Sequence, residues 1–353
     1  MVDLLTIASI ALKTSLVVVA VGLLSLTLRR PSAAFSHVLW TMTLALCALM
    51  PLGVLFLPSH DVVALPAVPT TVVRAASSSI SIIVFLWLVG SSIVLLHGLL
   101  ATVGLARWRL HAAPLTSTRW AATLARISAA HGFDHRRLQV LESQHISGPC
   151  TWGVMRPVLL LPTIGDGWPE SARHAALMHE LAHIERRDSM SILVARLACA
   201  LHWYNPLVWL AAQRVRSLQE RACDDAVLRS GAMPSDYAQF LLDVAAHTSG
   251  MAPPARAAIG MTHGSSLRAR IVAILDPQAM RSRPGRIRVV AACAALFVFT
   301  IFLATISVAI EPPPPEQPIP SIPAIPAIPA IPAIPAIPPI PAIPATPPVD
   351  PIQ

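Results

Sequence analysis

The sequence predicts an α-helical membrane protein with about four transmembrane helices, a mainly helical α+β cytoplasmic domain and a disordered proline-rich tail. Three observations predict it. Of 353 residues, 54% are hydrophobic and only 12% are charged, against about 25% charged in soluble domains. Four stretches reach the ~20 apolar residues that a bilayer crossing needs: Leu4 to Leu28, Ala33 to Leu57, Ile80 to Ala106 and Arg288 to Ile310. Between the third and the fourth, short strand-like runs give way to helical periodicity.

The first span is too long for a secretory signal and does not look cleavable. It contains Lys13, the only lysine, which is expected either to face other helices or water, or to snorkel to the interface. Arginine sets the orientation. Arg29 and Arg30 lie in the first connection, Arg107 and Arg109 follow the third span, and Arg281, Arg283, Arg286 and Arg288 lead into the fourth. The second connection has only Arg74 against Asp61. The positive-inside rule then places the amino terminus outside, residues 107–287 inside and the tail from Glu311 outside, as in a multi-pass protein of a bacterial inner membrane. The expected division is a three-span region at 1–106, a cytoplasmic domain at 107–287, the fourth span at 288–310 and the tail at 311–353.

The formal charge of +8 follows from this topology. The arginines cluster at membrane exits and not along one face, so no direct nucleic-acid partner is expected. The five cysteines, at 47, 150, 199, 223 and 293, have no paired short spacing, which argues against a disulfide framework and a cysteine-built zinc site.

Within the cytoplasmic segment a helix is expected around Ser117 to His131. Arg137 to Glu142 and Thr151 to Leu161 are apolar runs separated by Ser147-Gly148-Pro149, and Arg156-Pro157 breaks the second. They read as two or three strands. Pro169 suits the first turn of a helix running through His179 and His183 to about Arg186. Asn205-Pro206 supplies a cap and a first-turn proline for a helix reaching about Leu228. Ser235 is expected to cap a third helix, and Ser265 a short fourth ending before Pro277. The apolar run from Ser189 to Leu210 is interrupted by Arg196, His202 and Asn205-Pro206. A fifth crossing there would put Glu220 and His179 on opposite sides of the membrane, so a buried or membrane-surface hairpin is expected instead.

The tail carries an Ile-Pro-Ala repeat from about Ile322 to Ala345. Proline at every third position removes backbone donors and favours polyproline II, at about 3.1 Å per residue. Such a tail is a semi-rigid spacer or a ligand for an envelope partner.

The chemistry begins at His179-Glu180-Leu181-Ala182-His183. On a helix, positions i and i+4 share a face, so both imidazoles can bind one Zn2+ while Glu180 lies beside it as general base. The bland alternative is a helix with two surface histidines. A catalytic zinc site wants three protein ligands and an open position. Glu220 and Asp224 stand at i and i+4 further on: Glu220 can be the third ligand, and Asp224 can accept the free N–H of a ligand histidine. Taken alone they would be a solvated acidic face, as Asp225 is expected to be. Asp188 either caps the histidine helix or braces His183. Tyr204, Tyr237 and His202 are chemically able to stabilise an oxyanion, though core or interface roles are the default for each. Cys223 could influence the metal or simply pack. Trp152 and Met155 could flank an edge strand that holds substrate by backbone pairing, or could pack as hydrophobic residues.

His179 to Asp188 (HELAHIERRD), His202 to Trp209 (HWYNPLVW), Glu220 to Leu228 (ERACDDAVL) and Gly148 to Pro162 (GPCTWGVMRPVLLLP) together resemble the membrane metallopeptidases of beta-lactam sensor-transducers, the BlaR/MecR type. The resemblance extends over roughly residues 1–310. It implies a zincin-like (gluzincin) domain, zinc held by His179, His183 and Glu220, Glu180 as base, and signal-triggered proteolysis of the chain itself or of a cytoplasmic repressor. The penicillin-binding sensor of that family is not recognised, since Lys13 is the sole lysine and Ser-x-x-Lys is therefore impossible. Direct covalent sensing of beta-lactams is not expected. A quality-control peptidase of the HtpX or CAAX-processing type, and a non-catalytic transducer that keeps zinc for structure, are the rival expectations.

Overall fold

A computed structural model describes residues 4–28, 31–58, 60–65, 70–133, 138–248 and 264–310. The proline-rich tail and Arg137 lie outside the described residues. Four described helices are long and apolar enough to cross a membrane. They lie in α1 (Leu4–Thr27), α2 (Ala33–Phe56), α3 (Thr70–Leu110) and, last in the chain, Arg286–Thr305. Ser32 caps α2 by accepting from the Phe35 amide, so the turn after α1 satisfies one of the orphan donors of the second helix.

The third and fourth spans differ from expectation at their ends. Helix α3 begins ten residues before Ile80, and its 41 residues make a rod of about 60 Å, twice the ~30 Å hydrocarbon layer. The last span ends at Thr305, not Ile310. Residues Ile306–Ile310 instead form a strand that pairs in parallel with β1 (His60–Leu65), the strand that follows α2. Two β-branched runs far apart in sequence thus satisfy each other's backbone groups, a pairing that no local pattern announces. It sets the C-terminal ends of α2 and the last span at the same end of the bundle.

After α3 come β2 (Ala113–Pro114), α4 (Thr118–His131), β3 (Gln139–Ser143), β4 (Cys150–Trp152) and β5 (Val158–Pro162). Ser117 caps α4 through the Trp120 amide, and Gly132, with φ of 65°, ends it in the left-handed conformation. The four strands form one sheet in the order β2-β3-β5-β4, with β3 parallel to β5 and the two outer strands antiparallel. Strand β5 is buried throughout. Leu159 and Leu161 face Trp120, Leu124 and Ile127 of α4, while Val158 and Leu160 pack on Leu141, Ile146 and Cys150 on the opposite side, the period-2 alternation of a sheet covered on both faces.

Helices α5 (Glu170–Glu185), α6 (Asp188–Leu201), α7 (Pro206–Arg229), α8 (Pro234–Thr248) and α9 (Gly264–Leu275) follow, and the last span is α10. Asn205 caps α7 by accepting from the Leu207 amide, with Pro206 in the first turn, as expected. Ser235 does not cap α8. Pro234 already opens that helix, and the Ser235 hydroxyl donates to Asp236 instead.

The run from 189 to 210 forms a helical hairpin. Val208, Ala211, Val215 and Leu218 of α7 and Ala198 and Cys199 of α6 join Val17, Val21, Leu39, Leu44 and Met50 in one apolar core. Polar groups tie the hairpin to the spans. Asn205 Nδ2 donates to Ser15 at 3.0 Å, His202 bonds the Cys47 carbonyl at 2.9 Å, and Trp87 donates to the Leu201 carbonyl at 2.9 Å. Lys13 faces the bundle interior. Its ammonium donates to the Ala304 and Ile306 carbonyls at 3.2 and 2.6 Å, satisfying the C-terminal carbonyls of α10 where orphan acceptors would be costly.

Helix α3 meets the turn between α6 and α7 through a close approach. A Cβ added at Gly90 would lie 2.2 Å from the Trp203 ring, so Gly90→Ala must displace an indole. It is expected to destabilise the bundle by about 1–3 kcal/mol, the usual cost of overpacking. Thermal unfolding in detergent measures it, and an unchanged midpoint would show that the Gly90–Trp203 approach leaves room for a methyl group.

Candidate metal centre

Helix α5 is held between the sheet and α7. Ala176, Leu177 and Leu181 enter the α4–β5 core, while His179 and His183, one turn apart on the other side, point toward α7. From α7, Glu220 meets them. His179 Nε2 and His183 Nε2 lie 3.2 Å apart, His179 Nε2 is 3.5 Å from Glu220 Oε2, and His183 Nε2 is 3.8 Å from Glu220 Oε1. Three donors from stretches 37 residues apart therefore converge, as the sequence reading required.

The ring nitrogens that point away are already committed. His183 Nδ1 lies 2.9 Å from Asp188 Oδ2. His179 Nδ1 lies 3.0 Å from the Tyr237 hydroxyl, which donates to Asp224 Oδ1 at 2.8 Å. With a proton on each Nδ1, both Nε2 atoms present lone pairs to one another, and only a cation or an added proton between them relieves that. The protein environment favours positive charge there. Burial opposes a charged His179, but the nearby carboxylates of Asp224 and Glu220 outweigh it and lift its pKa to about 9. Burial likewise opposes an ionised Glu220, yet the Arg270 guanidinium and the two histidines hold it down at about 2. The donor separations suit one small cation. Ligands at about 2.0–2.1 Å in tetrahedral array stand about 3.4 Å apart, and His2Glu with an open position is a donor set able to hold a divalent transition metal.

Glu180 is buried, and its Oε2 accepts from the Thr151 hydroxyl of β4 at 2.9 Å. Burial raises its carboxyl above the usual range, although both histidines pull the other way. Strand β4 is the terminal strand of the sheet on this side, with Trp152 partly buried and Met155, just beyond it, 89% exposed.

Of the two roles open to Asp188, bracing His183 is realised. Arg187, with φ of 55°, turns the chain between α5 and α6 in a conformation uncommon for a side-chain-bearing residue, and so returns the Asp188 carboxylate to His183. Asp224 reaches His179 largely through Tyr237, since its own oxygen is 3.4 Å from Nδ1. Tyr237 is buried behind His179 as a support, while His202 and Tyr204 meet edge to face, with His202 tied to Cys47 on α2. Cys223 Sγ lies 3.3 Å from His183 Nδ1, and burial pushes its thiol well above its ordinary range. Asp225 departs from expectation: it is not on a solvated face but is partly buried, 3.8 Å from Arg281, and burial raises its carboxyl to about 6.

The residue that sequence reasoning missed is Arg270 of α9, buried between Asp224 and Glu220. One signal could have exposed it. Leu267, Ile271 and Ile274 form the packed stripe of α9, and Arg270 falls on that stripe, where an arginine is stable only if paired.

A bundle of apolar spans joined to a helix bearing His-Glu-x-x-His, with a carboxylate from a neighbouring helix completing the donor set, defines a membrane metallopeptidase. The profile of the BlaR1 peptidase M56 family matches residues 5–274, and the chain belongs to that family. The regulatory protein BlaR1 of Bacillus licheniformis is 32% identical over 96 residues, which cover 27% of this chain and 16% of that protein.

Proposed function

We propose that this chain is a zinc endopeptidase of the bacterial inner membrane that cuts a cytoplasmic or membrane-adjacent protein, such as a transcriptional repressor, or its own chain, as a signalling step. The observation that carries it is the convergence of His179, His183 and Glu220 beside a buried Glu180. In this reading His179, His183 and Glu220 hold the ion, and Asp188, Asp224 and Tyr237 fix the imidazole orientations. Bound zinc supplies Lewis acidity toward the scissile carbonyl and makes water acidic near neutral pH.

Glu180 is the proton carrier. Its place beside the two histidines suits a group that accepts a proton from water and returns it to the leaving amine, and the Thr151 hydroxyl fixes its rotamer. The terminal strand β4 supports an extended substrate paired by its backbone across from Glu180. Residues 107–287 facing the cytoplasm, as the arginine distribution suggests, would place this cleft where a repressor is reachable.

A quality-control peptidase would use the same centre, so the test is made in cells. Deleting the gene should change the expression of a few genes and remove a small set of new amino-terminal peptides from the proteome. A broad accumulation of damaged membrane proteins with no defined cleavage product would favour the quality-control role. Purified protein containing no transition metal would refute both.

A further inference from the structure

Arg270 reaches from α9 into the space behind Glu220 and Asp224, with 6% of its surface exposed. Its Nε donates to Asp224 Oδ2 at 2.9 Å and Nη2 to Oδ1 at 2.7 Å, while Nη1 lies 3.1 Å from Glu220 Oε2. The two carboxylates stand one turn apart on α7. A planar fork that grips both fixes their relative orientation, which the point charge of a lysine does not. The oxygen that Arg270 holds on Glu220 is Oε2, the one 3.5 Å from His179 Nε2.

We propose that Arg270 is a positioning residue of the metal centre: it holds the Glu220 carboxylate in the orientation that meets both histidines, and makes that orientation depend on the seat of α9. The proposal rests on the reading of His179, His183 and Glu220 as the metal ligands. A guanidinium near a divalent cation also repels it, so two effects compete. Orientation is the larger one, because all three donor groups of the fork are directed at carboxylate oxygens. Without Arg270, the buried Asp224 and the partly buried Glu220, one turn apart, lose the guanidinium that bridges them and repel each other. Glu220 then leaves the ligand position.

The test measures zinc affinity of the full chain in detergent by competition with a chelator, alongside the visible spectrum of the cobalt-substituted protein. Arg270→Met should bind zinc about 10–100-fold more weakly, as loss of an outer partner of a metal ligand does, with an altered cobalt spectrum. Arg270→Lys should fall between that variant and the parent. Arg268→Met, at an exposed neighbouring position, should bind as the parent does. To guard against misfolding, Arg270→Met is also combined with Asp224→Asn, which removes the buried charge pair as a unit; zinc binding should again be weakened. Parental affinity and spectrum in folded Arg270→Met, or in the double variant, would overturn the proposal. A parent chain that binds no zinc would instead refute the metal-site reading on which it rests.

Discussion

Glu180→Gln is expected to keep its metal and lose peptide hydrolysis by about 10²–10⁴-fold, the share that a well-placed general base contributes. Glutamine preserves the shape of the side chain and can still accept from Thr151, so neither the packing of α5 nor the three ligands should change. What disappears is the ability to take a proton from water and deliver it to the leaving nitrogen. Two measurements on the same preparation decide it: metal content by elemental analysis, and the rate at which a new amino terminus appears in a trapped substrate or in the chain itself. Retained metal with lost cleavage supports the assignment. Full cleavage by the variant would move the base elsewhere, and signalling that survives loss of cleavage would make the bundle, and not proteolysis, the transmitting element.

The second large effect is on stability. Asp224 accepts two bonds from Arg270 and one from Tyr237, all in a buried site. Asp224→Ala leaves the guanidinium desolvated with only Glu220 beside it, and is expected to cost about 3–5 kcal/mol, as removal of one partner from a buried ion pair does. Metal-stripped protein is the proper sample, because weakened metal binding would otherwise lower stability by mass action and inflate the result. Adding Arg270→Met to Asp224→Ala should recover much of the loss, since no charge is then stranded. An Asp224→Ala protein unfolding within 1 kcal/mol of the parent would mean that water reaches this network.

The sequence made the apolar spans and the clustering of His179, His183 and Glu220 legible for different reasons. Hydropathy over about 20 residues is a local property, so α1 and α2 fall within a residue or so of their expected bounds. The cluster was readable because i, i+4 geometry is fixed by the helix itself, and Asn205-Pro206 marked where the helix bearing Glu220 starts. What escaped was long-range. The strand after α2 is stable only through its partner almost 250 residues later, and Ile306 to Ile310 continue the apolar composition of the span before them. Arg270 escaped similarly, as it sits 46 residues beyond Asp224 in no spacing pattern, and becomes meaningful only when α9 packs on α7. Asp225 was misjudged because a doubled Asp-Asp looks solvated, whereas one carboxylate turns inward to Arg270 and the other to Arg281.

The parallel pairing of β1 with β6 (Ile306–Ile310) bears on how force would travel. Parallel strands whose chains leave from opposite ends of the ladder are strained in shear, so a tug on the chain beyond Ile310 stretches every rung together instead of peeling them one at a time. Because β1 descends directly from α2, such tension would be shared between α2 and the last span, and Lys13 clasps the latter to α1 where its helix ends. Three spans would thus be drawn as a unit, giving the end of the bundle that carries this strand pair the character of a tow-point.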